Sequence, residues 1–300
     1  MSEYKTISEI PYSSERAVIV NVHTLLCTTL AILSTRRYMD MPLLVIDCPL
    51  HNESDAEALR RLQKEYNFDL CCLPLKRHGD TLDDLFLHIA SDWIYLVDSD
   101  VEILNGEALQ MMRTMRSRSL IDSKQIFGVG MKQLSGYGVP PMEHTYFSER
   151  PYCCLNVALV RKEIESGSSF NIIAKTNLNP VGGGFRKVRN KLKKIHFFRL
   201  AHIVDLGMSV FRKGYKGHCI DETLYDTGAL LFKTLSDKGL HYIDWVFYSY
   251  PAYVTHFCGV TRSAIYVNEN FAVGINDIKQ TILRRLEEEY NFDYNRFYKV

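Results

Sequence analysis

The sequence lacks a long apolar segment and lacks an excess of charge of either sign. Its 300 residues contain no uninterrupted apolar run of about 20 residues, the length that a transmembrane helix needs. Lysine and arginine number 36 and aspartate and glutamate 35, so the composition gives no reason to expect a nucleic-acid partner. Residues 1–16 are polar and lack the apolar core of a signal peptide. We therefore expect a cytoplasmic protein without a nucleic-acid partner.

Two further features are missing, and each excludes a class of site. The eight cysteines are scattered and none forms a CxxC spacing, which argues against a thiolate metal site. Adjacent pairs such as Cys71-Cys72 lie in apolar runs, so we expect reduced core residues. Residues 21–24, where the first apolar run ends, contain no glycine. This argues against the glycine-rich phosphate loop that a sugar nucleotidyltransferase needs after its first strand.

The first hundred residues alternate between short apolar runs and amphipathic segments. The runs predict buried strands at 17–23, 42–47, 69–75 and 93–97, and the segments between them predict helices at 24–38, 56–66 and 81–90. This alternation predicts an α/β fold with a mainly parallel central sheet flanked by helices. Further along, we expect strands at 125–131, 152–160 and 253–256, and helices at 227–238 and 275–290. The composition predicts connecting segments at 135–149 and 166–184.

Asp98-Ser99-Asp100 follows the strand predicted at 93–97. The carboxyl ends of parallel strands are where open α/β sheets bind ligands. Two carboxylates two residues apart suit a hard divalent cation that also holds phosphate oxygens. An ordinary acidic turn is the alternative interpretation.

Six segments, in order along residues 15–262, resemble the GT-A class of nucleotide-sugar-dependent glycosyltransferases, in particular its family-two-like group. They are the strand at 17–22, the strand ending in Asp47, and the segments at 76–79, 98–100, 225–230 and 255–259. The resemblance implies a GT-A (Rossmann-like) domain over 1–262, with a C-terminal helical extension over 263–300 packed on it. It also implies transfer of a sugar from a nucleoside-diphosphate sugar to an acceptor hydroxyl.

The resemblance implies a metal site. Asp100 would ligate Mn²⁺ or Mg²⁺ between the two donor phosphates, and Asp98 would contact the ribose, or the metal through water. His256 matches a position that often supplies a further metal ligand, although a core histidine is the alternative. Arg262 would steady the diphosphate bidentately, or is an ordinary surface arginine.

The resemblance also places the donor nucleotide over the first strands. Asp47 would read the ribose or base, with a strand-end turn residue as the alternative. Asn21 and His23 would face the same crevice, and Arg77 would form its basic wall. UDP is the default nucleotide by analogy alone.

An inverting transfer needs a general base, and Asp226 is the residue we expect to supply it. The segment departs from the family pattern, because Tyr225 replaces a glutamate and Gly228 a second acidic residue. Asp221 and Glu222 are therefore alternative bases, and Asp226 could simply cap the next helix. A retaining mechanism and a catalytically inactive GT-A-like scaffold also stay open.

The segment 185–199 contains the chain's one block of basic residues, with seven Lys or Arg among three Phe. A solvated helix face is the usual fate of such a run. The alternatives are a lid over the diphosphate, or peripheral contact with the inner face of a membrane near a glycolipid acceptor. The acceptor class (saccharide, glycolipid or protein) and the oligomeric state stay open.

Two segments, 60–69 and 284–293, are closely similar in sequence. They lie too far apart for a repeat architecture, which recurs at a short fixed period. We interpret them as one way of ending a helix used twice, with Asn67 as a left-handed stop.

Overall fold

The computed structural model describes residues 2–49, 55–118, 125–130, 144–146, 152–171, 173–178, 188, 191, 220–225, 227–244, 250–257 and 272–298. The strands are β1 (Glu3–Tyr4), β2 (Ser13–Asn21), β3 (Leu43–Asp47), β4 (Asp69–Cys72), β5 (Ser91–Val97), β6 (Val101–Ile103), β7 (Ile126–Gly130), β8 (His144–Tyr146), β9 (Tyr152–Asn156), β10 (Ile173–Leu178), β11 (Ile220–Tyr225), β12 (His241–Asp244) and β13 (Val254–His256). The helices are α1 (Leu25–Tyr38), α2 (Ala56–Tyr66), α3 (His78–His88), α4 (Glu107–Arg118), α5 (Val157–Glu165), α6 (Ala229–Asp237), α7 (Tyr250–Tyr253), α8 (Ala272–Tyr290) and α9 (Tyr294–Tyr298), and a 3-10 turn spans Ile7–Glu9.

A central sheet of eight strands has the order β1-β4-β3-β2-β5-β9-β7-β12. The first five strands in that order are parallel, β9 is antiparallel to both β5 and β7, and β12 is parallel to β7. The chain builds outward from β2 in both directions, since β3 lies on one side of it and β5 on the other. The predicted α/β fold with a mainly parallel sheet is confirmed, and β2 and β5 flank the switch point at which such sheets bind ligands.

Both faces of this sheet are covered, which is why its strands are apolar throughout. All five residues of β3 are buried. One core cluster packs α1, α2, α4 and α8 on one face, and a second packs α3, α5 and α6 on the other. The result is a three-layer arrangement with helices on both sides, as expected for parallel strands.

The strand predicted at 152–160 is wrong in its second half. Only Tyr152–Asn156 forms a strand, and Val157–Glu165 forms helix α5. The Asn156 side chain accepts a hydrogen bond from the Leu159 N–H (2.9 Å) and so caps the helix. A continuous apolar run does not distinguish a buried strand from a buried helix, and the cap decides between them here.

Two small sheets lie beside the central one. Strands β10 and β11 pair antiparallel and β8 lies parallel to β11, so parts of the segments predicted as connections form strands. Strands β6 and β13 pair antiparallel. The six described cysteines are free, and burial raises the pKa of Cys71 to about 12.

Helices α8 and α9 pack against the same side of the sheet as α1. Ile282, Leu286 and Phe292 are buried in that core cluster, and the Tyr298 hydroxyl lies 3.1 Å from Thr29 Oγ1. The predicted division of the chain at residue 262 stays a prediction. Within the described residues, no helix has the length and apolar character that crossing a membrane requires.

The two similar segments end their helices in the same way. Asn67 and Asn291 both have φ of 49°, in the left-handed region, and each N–H donates to the carbonyl four residues earlier. The predicted left-handed stop at Asn67 is confirmed. The two helix ends also meet, because the rings of Tyr66 and Phe292 are edge-to-face at 6.3 Å.

We expect Asn67→Ala to lower the free energy of unfolding by about 1 kcal/mol, because an alanine side chain strains a left-handed residue. Asn67→Gly relieves that strain and serves as the matched control. Urea denaturation of both variants measures the difference. Equal stability of the alanine and glycine variants would contradict the role assigned to the left-handed conformation.

Candidate active site

The candidate site lies at the carboxyl ends of β2 and β5, on either side of the switch point. Strand β2 ends at Asn21, and β5 ends at Val97 and is followed directly by Asp98, Ser99 and Asp100. The Val101 N–H donates to the Asp98 carbonyl (3.1 Å), which closes a tight turn between β5 and β6. This turn presents both carboxylates at the ligand-binding edge of the sheet.

Three potential metal ligands meet at this turn. One ligand atom from each of Asp98, Asp100 and His256 lies within 4.8 Å of the other two. His256 Nε2 is 3.2 Å from Asp100 Oδ1, and both of these side chains are 5% exposed. The structure therefore brings together the three residues that the sequence predicts as metal ligands, although 156 positions separate Asp100 from His256 in the numbering.

The short ladder between β6 and β13 builds this cluster. His256 pairs with Val101, and the Phe257 N–H donates to the Asp100 carbonyl (2.9 Å). Antiparallel pairing in this register sets the residue before β6 beside the last residue of β13. The proximity of the imidazole and the carboxylate thus follows from backbone hydrogen bonds.

The donor set fits a divalent cation such as Mn²⁺ or Mg²⁺. Carboxylate oxygens suit both ions, and an imidazole nitrogen adds preference for a transition metal. In an octahedral site with ligand distances of about 2.1 Å, neighbouring ligand atoms are about 3 Å apart, so the observed 3.2 Å separation is compatible with one shared ion.

The first turn of α1 lies beside the cluster. Cys27 is buried there, and its pKa is raised to about 12, first by burial and then by the negative charge of Asp100. Among the described residues, the group of ligand atoms that lie within 4.8 Å of one another comprises Asp98, Asp100 and His256 and does not include the Cys27 sulfur.

Asn21 is the centre of a buried hydrogen-bond network next to the metal cluster. Its Nδ2 donates to Asp47 Oδ1 (2.7 Å) and Asp55 Oδ2 (3.1 Å). Its Oδ1 accepts from the Thr24 N–H (3.1 Å) and the Thr28 hydroxyl (2.8 Å). Both ends of the amide are engaged within the protein, and Asn21 is fully buried.

This network joins the end of β2 to the acidic turn. The Thr24 hydroxyl donates to Asn21 Oδ1 (3.1 Å) and also lies 3.3 Å from Ser99 Oγ, between the two site aspartates. Asp47 is likewise fully buried at the end of β3. Asn21 and Asp47 therefore pair with each other at the carboxyl ends of β2 and β3, and neither residue is exposed, so the predicted contact of Asp47 with the ribose or base stays a prediction.

His23 and Asp55 lie closer to solvent. His23 has φ of 52°, its side chain is 36% exposed, and its Nδ1 is 3.5 Å from Asp55 Oδ1. Asp55 directly precedes helix α2, a position at which an aspartate commonly caps the helix. No side-chain cap bond forms at Asp55, and its carboxylate faces Asn21 and His23 instead.

The remaining predicted residues are not brought into this cluster by the described contacts. Arg77 precedes α3, is 74% exposed, and donates to both carboxylate oxygens of Asp80 (2.7 and 2.9 Å). Asp221 and Glu222 are in β11, where only their backbone positions are described. Asp226 and Arg262 lie outside the described residues, as do all of 185–199 except Val188 and Lys191.

No protein-family model and no curated protein matches the sequence. Among solved structures, the chain is similar to S. aureus TarS (TM-score 0.35, 16% identity, 50% of this chain and 30% of that chain). It is also similar to the mannosyltransferase PcManGT from Pyrobaculum calidifontis in complex with GDP-Man and Mn²⁺ (TM-score 0.37, 10% identity, 53% and 48%). A third similar structure is 4-diphosphocytidyl-2C-methyl-D-erythritol synthase from Anaerococcus prevotii (TM-score 0.37, 8% identity, 51% and 74%).

The chain covers less than half the length of the two transferases.

We expect Asn21→Asp to destabilise the protein by about 2 to 3 kcal/mol at neutral pH. The change keeps the acceptor for Thr24 and Thr28 but turns the donor toward Asp47 and Asp55 into a third carboxylate. Like-charge repulsion raises carboxyl pKa values, so the deficit relative to wild type should shrink as the pH falls toward about 5. Urea denaturation at several pH values measures it, and a pH-independent deficit would contradict the charge explanation.

Proposed function

We propose that this protein is a metal-dependent glycosyltransferase of the GT-A class. It would move a sugar from a nucleoside-diphosphate sugar to an acceptor hydroxyl. The observation that carries the proposal is the cluster of Asp98, Asp100 and His256 at the switch point of a mainly parallel sheet. The ordered sequence resemblance over residues 15–262 supports the same class.

The cluster has the residues that a divalent cation and a diphosphate require together. Asp98, Asp100 and His256 would hold Mn²⁺ or Mg²⁺ on the edge of the sheet, leaving coordination positions for donor phosphate oxygens. When bound, the cation supplies Lewis-acid stabilisation of the charge that develops on the departing nucleoside diphosphate. The near-complete burial of Asp100 and His256 keeps these two side chains in place before the donor arrives.

The donor nucleoside would lie over the carboxyl ends of β2 and β3. The buried Asn21–Asp47 pair would support the crevice floor, and the more exposed His23 and Asp55 would contact the ribose or base. Arg77 would form the basic wall of this crevice, and in this structure it donates to Asp80. Arg262 as a second basic group and UDP as the nucleotide are parts of the proposal that rest on the resemblance.

The residue roles proposed for the acceptor side of the reaction are argued from the sequence. Asp226 would take the proton from the acceptor hydroxyl and give an inverting transfer, with Asp221 and Glu222 as alternative bases. A retaining transfer is the outcome if none of the three serves. We propose a cytoplasmic location, with contact between 185–199 and the inner face of a membrane if the acceptor is a glycolipid.

A catalytically inactive scaffold is the competing proposal. The departure at Tyr225 and Gly228 from the family pattern favours it, since these positions flank the expected base. Retention of Asp98, Asp100 and His256 as a compact cluster favours the enzyme.

We predict that Mn²⁺ and UDP together raise the thermal midpoint by several degrees, whereas either one alone has a smaller effect, because the metal and diphosphate bind each other as well as the protein. Asp100→Asn should abolish the joint effect. Asp92→Asn is the matched control, because Asp92 lies near the amino end of β5, at the opposite end from the acidic turn, and accepts a bond from Tyr12.

A midpoint that moves with neither component, nor with other nucleoside diphosphates, would support the scaffold. An Asp100→Asn variant that responds like wild type would contradict the metal assignment. Loss of the response in Asp92→Asn would indicate a general effect of removing a carboxylate in or next to β5.

We predict that Asp226→Asn retains donor affinity but loses turnover by about two orders of magnitude or more, since a positioned base contributes about 10²–10⁴ in rate. Donor binding is measured by titration with Mn²⁺ present, and turnover by release of the nucleoside diphosphate. Unchanged turnover would move the base to Asp221 or Glu222, which the corresponding amide variants then distinguish.

A further inference from the structure

Glu102 is a fully buried carboxylate two residues beyond Asp100. It is the central residue of β6, a strand of only three residues whose other two members are also buried. A two-stranded ladder this short is marginally stable on its own. Something outside the ladder must therefore hold β6 in place.

Helix α8 provides that support through a bidentate contact between its Arg285 and Glu102. Arg285 Nε lies 2.9 Å from Glu102 Oε2, and Arg285 Nη2 lies 2.8 Å from Oε1. The Tyr290 hydroxyl donates to the same Oε1 (3.0 Å). A planar guanidinium bound to both oxygens of a carboxylate fixes its orientation as well as its position.

This contact differs from the ion pairs on the protein surface. Glu102 is removed from water, so its charge is tolerated only while its partners are present. Arg285 is itself 31% exposed and donates a further bond to Glu289 (3.2 Å) on its own helix. The carboxylate thus ties a strand of the candidate site to helix α8.

The anchored residue lies in the ladder that builds the metal cluster. Glu102 pairs with Thr255, and the next pair along the ladder is Val101 with His256. A register slip of one residue would turn the side chains of a strand to the opposite face. Fixing Glu102 therefore also fixes the 3.2 Å approach of His256 to Asp100.

We infer that Glu102 is a positioning residue for the divalent cation, held in place by Arg285 and Tyr290 of helix α8. The inference rests on the proposed metal-dependent function. It assigns helix α8 a role in metal affinity, in addition to its packing on the core.

The test is Mn²⁺ binding to the full chain, with Mn²⁺ alone as the probe and the free ion followed by electron paramagnetic resonance. We expect the double variant Glu102→Gln/Arg285→Gln to raise the Kd for Mn²⁺ by about tenfold or more, the scale at which groups that orient metal ligands act. The double change removes both charges together and so leaves no unpaired buried ion. Tyr290→Phe removes one hydroxyl and should weaken binding to a smaller extent.

Asp69→Asn is the matched control. It breaks another ion pair, in which the buried Arg16 contacts the partly exposed Asp69 (2.8 Å) at the amino end of β4. We expect it to lower the thermal midpoint without changing the Kd for Mn²⁺. If the double variant does not fold, Tyr290→Phe carries the test alone.

The outcomes separate this inference from the function it rests on. Wild-type protein that does not bind Mn²⁺ would overturn both. Wild-type binding with an unchanged Kd in the folded variants would overturn the positioning role only. An equal loss of affinity in Asp69→Asn would also overturn it, because general destabilisation would then explain the effect.

Discussion

The pairing of β6 with β13 is the interaction on which the candidate site depends. It is a ladder of three residue pairs, yet it joins a turn that follows the fifth strand to a histidine late in the chain. Without it, Asp98 and Asp100 would be two carboxylates on a turn. With it, Asp100 is buried against His256, and the edge of the sheet acquires a set of ligands that suits a divalent cation.

The surroundings of this ladder restrict it from three sides. Helix α1 packs its first turn, which contains the buried Cys27, beside Asp100. The Asn21 network links the end of β2 to Ser99 in the acidic turn. On the third side, Arg285 of helix α8 donates to Glu102. A site assembled from so many elements is pre-organised, so little of the ligand's binding energy is needed to order it.

The elements that sequence reasoning predicted best were those with a strong local pattern. The helix at 56–66 was predicted at its observed bounds, because its apolar positions recur at helical spacing and Asn67 ends it. The parallel strands followed from short apolar runs, and the resemblance led to Asp98, Asp100 and His256, which the structure brings together. The strand predicted at 152–160 is wrong beyond Asn156, because apolar character alone does not distinguish the strand from the helix that Asn156 caps.

The parts that sequence reasoning missed depend on contacts between distant residues. Asp55 directly precedes a helix, where an aspartate commonly serves as a cap, and only its contact with Asn21 links it to the buried network beside the candidate site. Glu102 carried no signal at all, since its partner Arg285 is 183 residues away. The account as a whole is tested most directly by anomalous diffraction from crystals grown with Mn²⁺ and a nucleoside diphosphate. We expect a manganese peak among Asp98, Asp100 and His256 with diphosphate oxygens completing its coordination. A manganese ion bound elsewhere, or a diphosphate bound away from these three side chains, would contradict it.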